Sequence, residues 1–191
     1  MSDSLPKHIR KFITIDDDEL TNALTFFRPI SLRKKENLLV EGEICKSNYF
    51  VVSGCLRMFF VNEKGVEQTV QFALENWWLA DYTSFSAQKP AAFSIQAVEK
   101  SEVLAIDFAA NETLLAQHPC LERYFRLVHQ RAHAAAQYRM KYHYDHSREE
   151  LYHEFARLFP EFVQRIPQYL LASYLGFTPE YLSEIRSRKL S

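Results

Sequence analysis

Glycine is scarce in this chain, and so is cysteine. Four glycines in 191 residues leave no room for a Gly-rich phosphate loop, a collagen-like repeat or a flexible Gly linker. The three cysteines, Cys45, Cys55 and Cys120, stand far apart with no Cys-x-x-Cys. A disulfide framework and an iron–sulfur or thiolate metal site are both disfavoured, and a reducing, cytoplasmic setting is expected. No apolar run approaches the ~18 residues of a membrane span, and residues 1–15 lack the apolar core of a signal peptide. An excess of charge is missing too. With 23 basic and 24 acidic residues and a net charge of −1, bulk charge cannot hold a polyanion, so any such contact must come from a local patch. What is present is a chain 47% hydrophobic and 25% charged, enough apolar material for a folded core.

The pattern changes character near Asn111. Before it, short Val-, Phe- and Tyr-rich runs alternate with turns; after it, helical spacing dominates. Residues 1–110 hold 12 Lys/Arg and 15 Asp/Glu, and residues 111–191 hold 11 and 9, the sign expected if the second half meets an anion. Asp16 to Glu19 with Leu20, Ala23, Leu24 and Phe27 predicts a helix capped by Asp16 and stopped by Pro29. Strands are expected at Asn37–Val40, Tyr49–Val52, Leu56–Val61, Glu67–Ala73, Phe93–Ala97 and Glu102–Asp107, with Gly65 in a hairpin turn. Strands of this length and spacing suggest a small barrel or jelly roll. Pro119 opens a long helix on which Leu121, Phe125, Val128, Ala132 and Ala135 recur at steps of four and three, the spacing of a two-helix dimer seam. Packing on its own barrel is the competing expectation for that stripe. Ser147 to Glu150 is a capping box opening the next helix, which ends at Pro160.

Ile166 to Ile185 has the layout of two helices joined by a tight turn. Ala172 is small where the helices cross, Gly176 supplies a left-handed end to the first helix, and Thr178 with Pro179 starts the second. Leu171, Leu175, Phe177, Leu182 and Ile185 are apolar where the pair must pack. This predicts a DNA-binding helix-turn-helix whose second helix enters the major groove. Thr178, Glu180, Tyr181, Ser183, Glu184, Arg186, Ser187, Arg188 and Lys189 are the candidate DNA-binding residues. A carboxylate can accept from cytosine, and arginine can pair with guanine or phosphate. The plainer expectation is that Glu184 and Arg188 form a surface i,i+4 pair.

Glu41-Gly-Glu43, Tyr49-Phe-Val-Val-Ser-Gly-Cys-Leu-Arg57, Glu75-Asn-Trp-Trp78 and Ser101-Glu-Val-Leu-Ala-Ile106, set before a long helix and a helix-turn-helix, resemble the Crp/Fnr family of bacterial regulators, in the short form common in Bacteroidetes. The resemblance covers nearly the whole chain. It implies an α+β fold: a cyclic-nucleotide-binding-like β-roll with an N-terminal helix over 1–118, a dimerisation helix over 119–145 and a helix-turn-helix domain over 146–191. It further implies a cytoplasmic homodimer on an inverted-repeat operator in double-stranded DNA, with no membrane partner. The recognition helix runs almost to Ser191, where many relatives continue into a phosphate-gripping β-wing; a weaker hold on DNA is the expectation.

The resemblance also locates an effector pocket at Phe72, Trp78, Ala80, Asp81, Ala91 and Ala92. Cyclic-nucleotide-binding relatives carry a Gly-Glu pair for the ribose and an arginine for the phosphate. Here Asp81 keeps the acid, Ala80 replaces the glycine and Ala91 stands in the arginine's place. Without that charge-assisted contact cAMP is not expected to bind. The pocket is expected to hold another, unidentified effector or to be filled by Trp77, Trp78, Phe72 and Phe93. No cofactor, metal or enzymatic activity is assigned. His129 and His133 are four apart but lack an intervening metalloprotease-type Glu, the β half has only His8, which leaves cupin chemistry without ligands, and no nucleophile elbow occurs. A sensor that has lost effective DNA binding is the alternative function.

Overall fold

The structure, a computed structural model, describes residues 3–188, without the side chain of His143. Its contacts divide it into two compact units, with one of the divisions along the chain falling within the long helix: residues up to Phe60 with Gln71–His129, and Val61–Val70 with the chain from Gln130 onward.

The first unit opens with helix α1 (Ser4–Arg10), followed by α2 (Asp17–Leu24). The Asp16 carboxylate accepts from Glu19 N at 2.7 Å and caps α2. The reciprocal half of a capping box is not formed, because the Glu19 carboxylate turns to His118 and Cys120 instead. Eight strands follow: β1 (Arg28–Leu32), β2 (Asn37–Leu39), β3 (Ser47–Ser53), β4 (Leu56–Val61), β5 (Glu67–Ala73), β6 (Trp78–Leu79), β7 (Ser94–Ala97) and β8 (Ser101–Asp107), with helix α3 (Tyr82–Ala87) between β6 and β7. They form two four-stranded sheets, ordered β1-β8-β3-β6 and β2-β7-β4-β5. Pro29 does not end the preceding helix; it sits in β1, an edge strand, where a missing N–H is tolerated. The expected strands are present within a few residues of their ends, while β1, β6, α1 and α3 were not expected. The fold is the mixed helix-and-sheet class, with a β-roll first and helices after it.

Alternation along the strands sorts the first unit into two cores. Tyr49, Val51, Val103, Ala105 and Leu79 face between the sheets, where they meet Leu39, Leu56, Ala73, Ile95 and Ala97. Their neighbours Phe50, Leu104, Ile106 and Trp78 face outward and are covered by Leu5 and Ile9 of α1, Leu20 and Ala23 of α2, Leu114 of α4 (Phe108–Gln117), and Leu121, Tyr124 and Phe125 of α5 (Cys120–Asp145). A sheet covered on both faces explains why β3 and β8 read as continuous apolar runs.

This second core encloses a polar chain. Trp78 Nε1 donates to the Tyr124 hydroxyl at 2.8 Å, and that hydroxyl lies 2.8 Å from His8 Nδ1. The hydroxyl accepts from the indole, and the His8 tautomer sets which of the hydroxyl and Nδ1 donates to the other. Three separate elements are thereby pinned at one oxygen. Tyr124→Phe removes that oxygen and leaves a buried indole N–H unpaired, so it should cost about 2–3 kcal/mol. Urea unfolding followed by tryptophan fluorescence reads this directly; a loss below about 0.5 kcal/mol would show that the chain does not contribute.

The second unit contains the β4–β5 hairpin tip, the rest of α5, and helices α6 (Arg148–Leu158), α7 (Pro160–Arg165), α8 (Gln168–Leu175) and α9 (Pro179–Arg188). The Asn62 carboxamide oxygen accepts from Lys64 N and Val66 N, each at 3.0 Å, and Gly65 takes φ 74° to close the turn. The capping box at Ser147 and Glu150 is fully formed. Phe155 packs against Phe162 and Tyr174, with ring centroids 5.5 and 5.8 Å away. Ser173 Oγ donates to Glu67 O and accepts from Thr69 N, both at 2.9 Å, and the Arg139 guanidinium donates to Val70 O. Pro160 ends α6 as expected but also starts α7, an added short helix.

Candidate nucleic-acid interface and effector cassette

The α8–α9 pair is built as its sequence implies. Gly176 ends α8 in the left-handed region, φ 75° and ψ 29°, and Phe177 N donates back to Ala172 O at 2.8 Å. Thr178 Oγ1 accepts from Tyr181 N at 3.2 Å and caps α9. Leu171, Ala172, Leu175, Phe177, Leu182 and Ile185 are buried between the helices and their surroundings. That leaves Thr178, Glu180, Ser183, Glu184, Arg186, Ser187 and Arg188 exposed along one helix. Tyr181 is half-buried, its ring edge-on to Phe177 at 5.6 Å, so it supports the helix as much as it faces outward. Lys189 lies outside the described residues.

Arg188 is engaged: it pairs with Glu184 one turn back and approaches Glu149 of α6 at 4.0 Å. The surface i,i+4 pair anticipated as the plainer reading is therefore present. Arg186 is the cation of the described part of α9 without a carboxylate partner. An exposed pair such as Glu184–Arg188 contributes little to stability, so an incoming phosphate can exchange with it at low cost.

Of the dimer stripe, Leu121 and Phe125 belong to the chain's own second core, at 1% and 8% exposure. They are not on an open seam: the start of α5 packs on the outer sheet face, which claims its apolar side. Val128 is partly buried beside them. Beyond it the helix is open, with Ala132, Ala134, Ala135 and Ala136 exposed and Tyr138, Met140 and Tyr144 at 65%, 60% and 85% exposure. His129 packs its ring on Tyr82 at 4.8 Å and on Phe125 at 6.3 Å. Among the described residues no group of three or more His, Cys, Asp or Glu could hold a metal ion, and no helix is long and apolar enough to cross a membrane.

The cassette region is closed by its own hydrogen bonds. Asp81, 4% exposed, caps α3: one carboxylate oxygen accepts from Ser84 N at 3.1 Å and the other from Ala92 N at 2.9 Å. Ala91 N donates to Glu43 O at 2.7 Å, and Ala91 O accepts from Gly42 N at 2.9 Å. The backbone amides that could cradle an anion at Ala91 and Ala92 are thus already used. Ala80 and Ala91 are buried in the inter-sheet core beside Cys45 and Phe85, while Ala92 is exposed. Phe72 is buried.

Trp78 does not line this space. It points from β6 to the opposite face, into the second core, because neighbours on a strand face opposite ways. Nor do tryptophans fill the interior: Trp77 is 51% exposed and Phe93 is half-buried against Phe60. Small and aliphatic side chains fill it instead, together with Tyr49 and Phe85. Burial pushes the Cys45 thiol up, and burial together with the Glu19 carboxylate raises Cys120 to about 11, so both stay protonated at neutral pH and are poor nucleophiles.

One buried charged residue went unanticipated. Arg57 of β4 is 4% exposed, donates from both Nε (3.1 Å) and Nη2 (2.7 Å) to Gln96 Oε1 and has its guanidinium carbon 4.0 Å from the Phe59 ring centroid. Gln96 in turn donates to Asn37 at 2.9 Å, giving a polar ladder across β4, β7 and β2. The sequence signal was Arg57 itself, one step out of phase with Leu56 and Met58 in an apolar strand.

Residues 29–118 match the cyclic nucleotide-binding domain family. No curated protein matches the sequence. Among solved structures, the chain is similar to the catabolite activator protein of Thermus thermophilus (20% identity, TM-score 0.57, covering 93% of this chain and 84% of that one). It is similar also to FixK2 of Bradyrhizobium japonicum (19%, 0.69, 85% and 83%). A third is CLP of Xanthomonas campestris, described as a c-di-GMP-responsive global regulator (10%, 0.72, 92% and 92%). At these identities the likeness is one of fold.

Proposed function

We propose that the protein is a DNA-binding transcriptional regulator of the Crp/Fnr type, acting as a homodimer, with an effector cassette that no longer takes a cyclic nucleotide. The observation that carries the reading is the capped α9, with an apolar side buried on α8 and a continuous polar side exposed. Two such helices in a two-fold dimer meet adjacent major grooves when about 34 Å apart, so the operator is an inverted repeat. The exposed Ala132 and Ala135, with Tyr138 and Met140, supply a surface on α5 for a second copy. Loss of cyclic-nucleotide binding is supported by Ala91 in the arginine's place and by amides and an Asp81 carboxylate that are satisfied internally.

Selection of duplexes from random DNA tests this reading. An enriched inverted repeat is expected. On that site Glu180→Ala should relax preference at one base pair per half-site, costing about 1–3 kcal/mol there and little on random DNA. Arg186→Ala should weaken all sequences alike and reduce the salt slope by about one. Glu184→Ala should do the reverse, since it removes a repelling carboxylate and frees Arg188. No enriched sequence, together with salt-independent and barely detectable binding, would leave the sensor function in its place.

A further inference from the structure

The cations of the first unit are unevenly distributed. Arg33, Lys34 and Lys35 form the β1–β2 turn, and Lys100 sits on the β7–β8 turn beside it; together with residues 31, 32 and 36 they line one surface concavity of about 630 Å³. The two turns are fastened to each other by backbone: Lys35 N donates to Ala97 O at 2.8 Å, and Ala97 N donates to Glu36 O at 2.9 Å. Lys35 holds φ 69° to make that connection. Leu32 is opposite Ser101 in the β1/β8 register, so Lys100 is held next to the first turn. The wall is therefore a hydrogen-bonded structure and not a chance meeting of mobile loops.

The electrostatics of the concavity are unbalanced. Glu36 is its one acidic lining residue, and the Glu36 carboxylate is directed at the Arg33 backbone N–H, at 2.8 Å. None of the four cationic side chains makes an ion pair among the described residues. Several cations elsewhere in the chain are paired: Lys7 with Asp3, Arg10 with Asp17, Lys141 with Asp145 and Arg157 with Glu154. Four unpaired positive groups around one hollow repel each other until an anion enters.

We propose that this concavity binds closely spaced phosphates. Lysine ammonium groups act as point charges toward phosphate, and a guanidinium can bind one bidentately. The lining contains no aromatic ring on which a base could stack, so the site reads the phosphate chain and not a base. The volume exceeds what a single orthophosphate fills. The same chemistry is offered by a free oligophosphate and by the backbone of a nucleic acid. The site is separate from the cassette at Asp81 and Ala91, and the free-ligand arm of its test does not depend on DNA recognition by α9.

Inorganic tripolyphosphate titrated into the full-length protein by calorimetry is the first arm, and random-sequence duplex followed by fluorescence anisotropy is the second. Both are run on the parent and on Lys34→Gln/Lys100→Gln, which changes two exposed side chains outside the strained position. A free oligophosphate as ligand gives tripolyphosphate binding that falls at least tenfold in the variant. A nucleic-acid backbone as ligand gives duplex binding that falls by a similar factor, with a smaller salt slope. Tripolyphosphate and duplex affinities that are both undetectable, or both unchanged by the double substitution, overturn the proposal. Selection that returns no enriched sequence, with tripolyphosphate binding intact, would refute the α9 reading and leave this one standing.

Discussion

Asp81→Ala should lower the stability of the protein by about 2–4 kcal/mol. In a relative that binds a cyclic nucleotide, the acid at this point of the cassette would face the ligand, and its removal would mainly cost affinity. Here both carboxylate oxygens are occupied, by Ser84 N at the start of α3 and by Ala92 N beyond the cassette helix. Hydrogen bonds to a charged acceptor contribute more than neutral ones, and the Ser84 amide, in a residue 2% exposed, has no water to replace the lost partner. Removing a buried carboxylate recovers part of the desolvation cost, which keeps the estimate below the sum of two full bonds. Asp81→Asn keeps an acceptor for Ser84 but places an amide N–H₂ against the Ala92 N–H, so it should recover about half of the loss at most. Denaturant unfolding of the three proteins is the measurement. An unfolding midpoint that does not move in Asp81→Ala would return the carboxylate to the role of a waiting ligand contact.

Gly54→Ala should be more damaging still, by about 4 kcal/mol or more. Gly54 has φ 94°, and a Cβ there would lie 2.2 Å from Ser101 Oγ and 2.7 Å from Lys100 O. Ser101 cannot simply turn away, because its hydroxyl accepts from Cys55 N at 3.1 Å and donates to Glu99 O at 3.0 Å. Gly54 N also donates to the Glu75 carboxylate at 2.8 Å, so the turn itself is held in place. Gly65→Ala is the control. It too has positive φ, 74°, but open space around the added methyl, and should show only the backbone cost of about 1 kcal/mol. Equal losses in the two variants would mean that close packing at Gly54 plays no part.

Much of the fold was legible because its signals are local. Asn62 to Gly65 close their hairpin with their own turn contacts, and Leu56–Val61 and Glu67–Ala73 are strands at the ends expected of them. Asp16, Ser147 and Thr178 cap helices with their own side chains. Gly176 ends α8 through its own backbone freedom. The two-residue strand β6 and the cassette helix α3 escaped notice, being too short to show a period. Edge strand β1 escaped because Pro29 was read as a helix stop.

Which partner each face meets was a different matter. Leu121 and Phe125 have the spacing of a seam, but spacing cannot say whether the apolar stripe meets a second copy or the back of the chain's own sheet. Trp78 and Leu79 are adjacent and equally buried, yet the pleat sends them to different cores. Asp81 looked like a ligand contact until Ala92, eleven residues away, supplied an amide to the carboxylate. Arg33, Lys34 and Lys35 are an ordinary basic run until the β1/β8 register brings Lys100 beside them. From sequence alone came the caps, the turns, the strand period and the layout of the helix-turn-helix, all decided by residues within a few positions of one another. Tertiary structure alone decided the destination of each apolar face and the partner of each buried charge, because these depend on groups that only the folded chain brings within bonding distance.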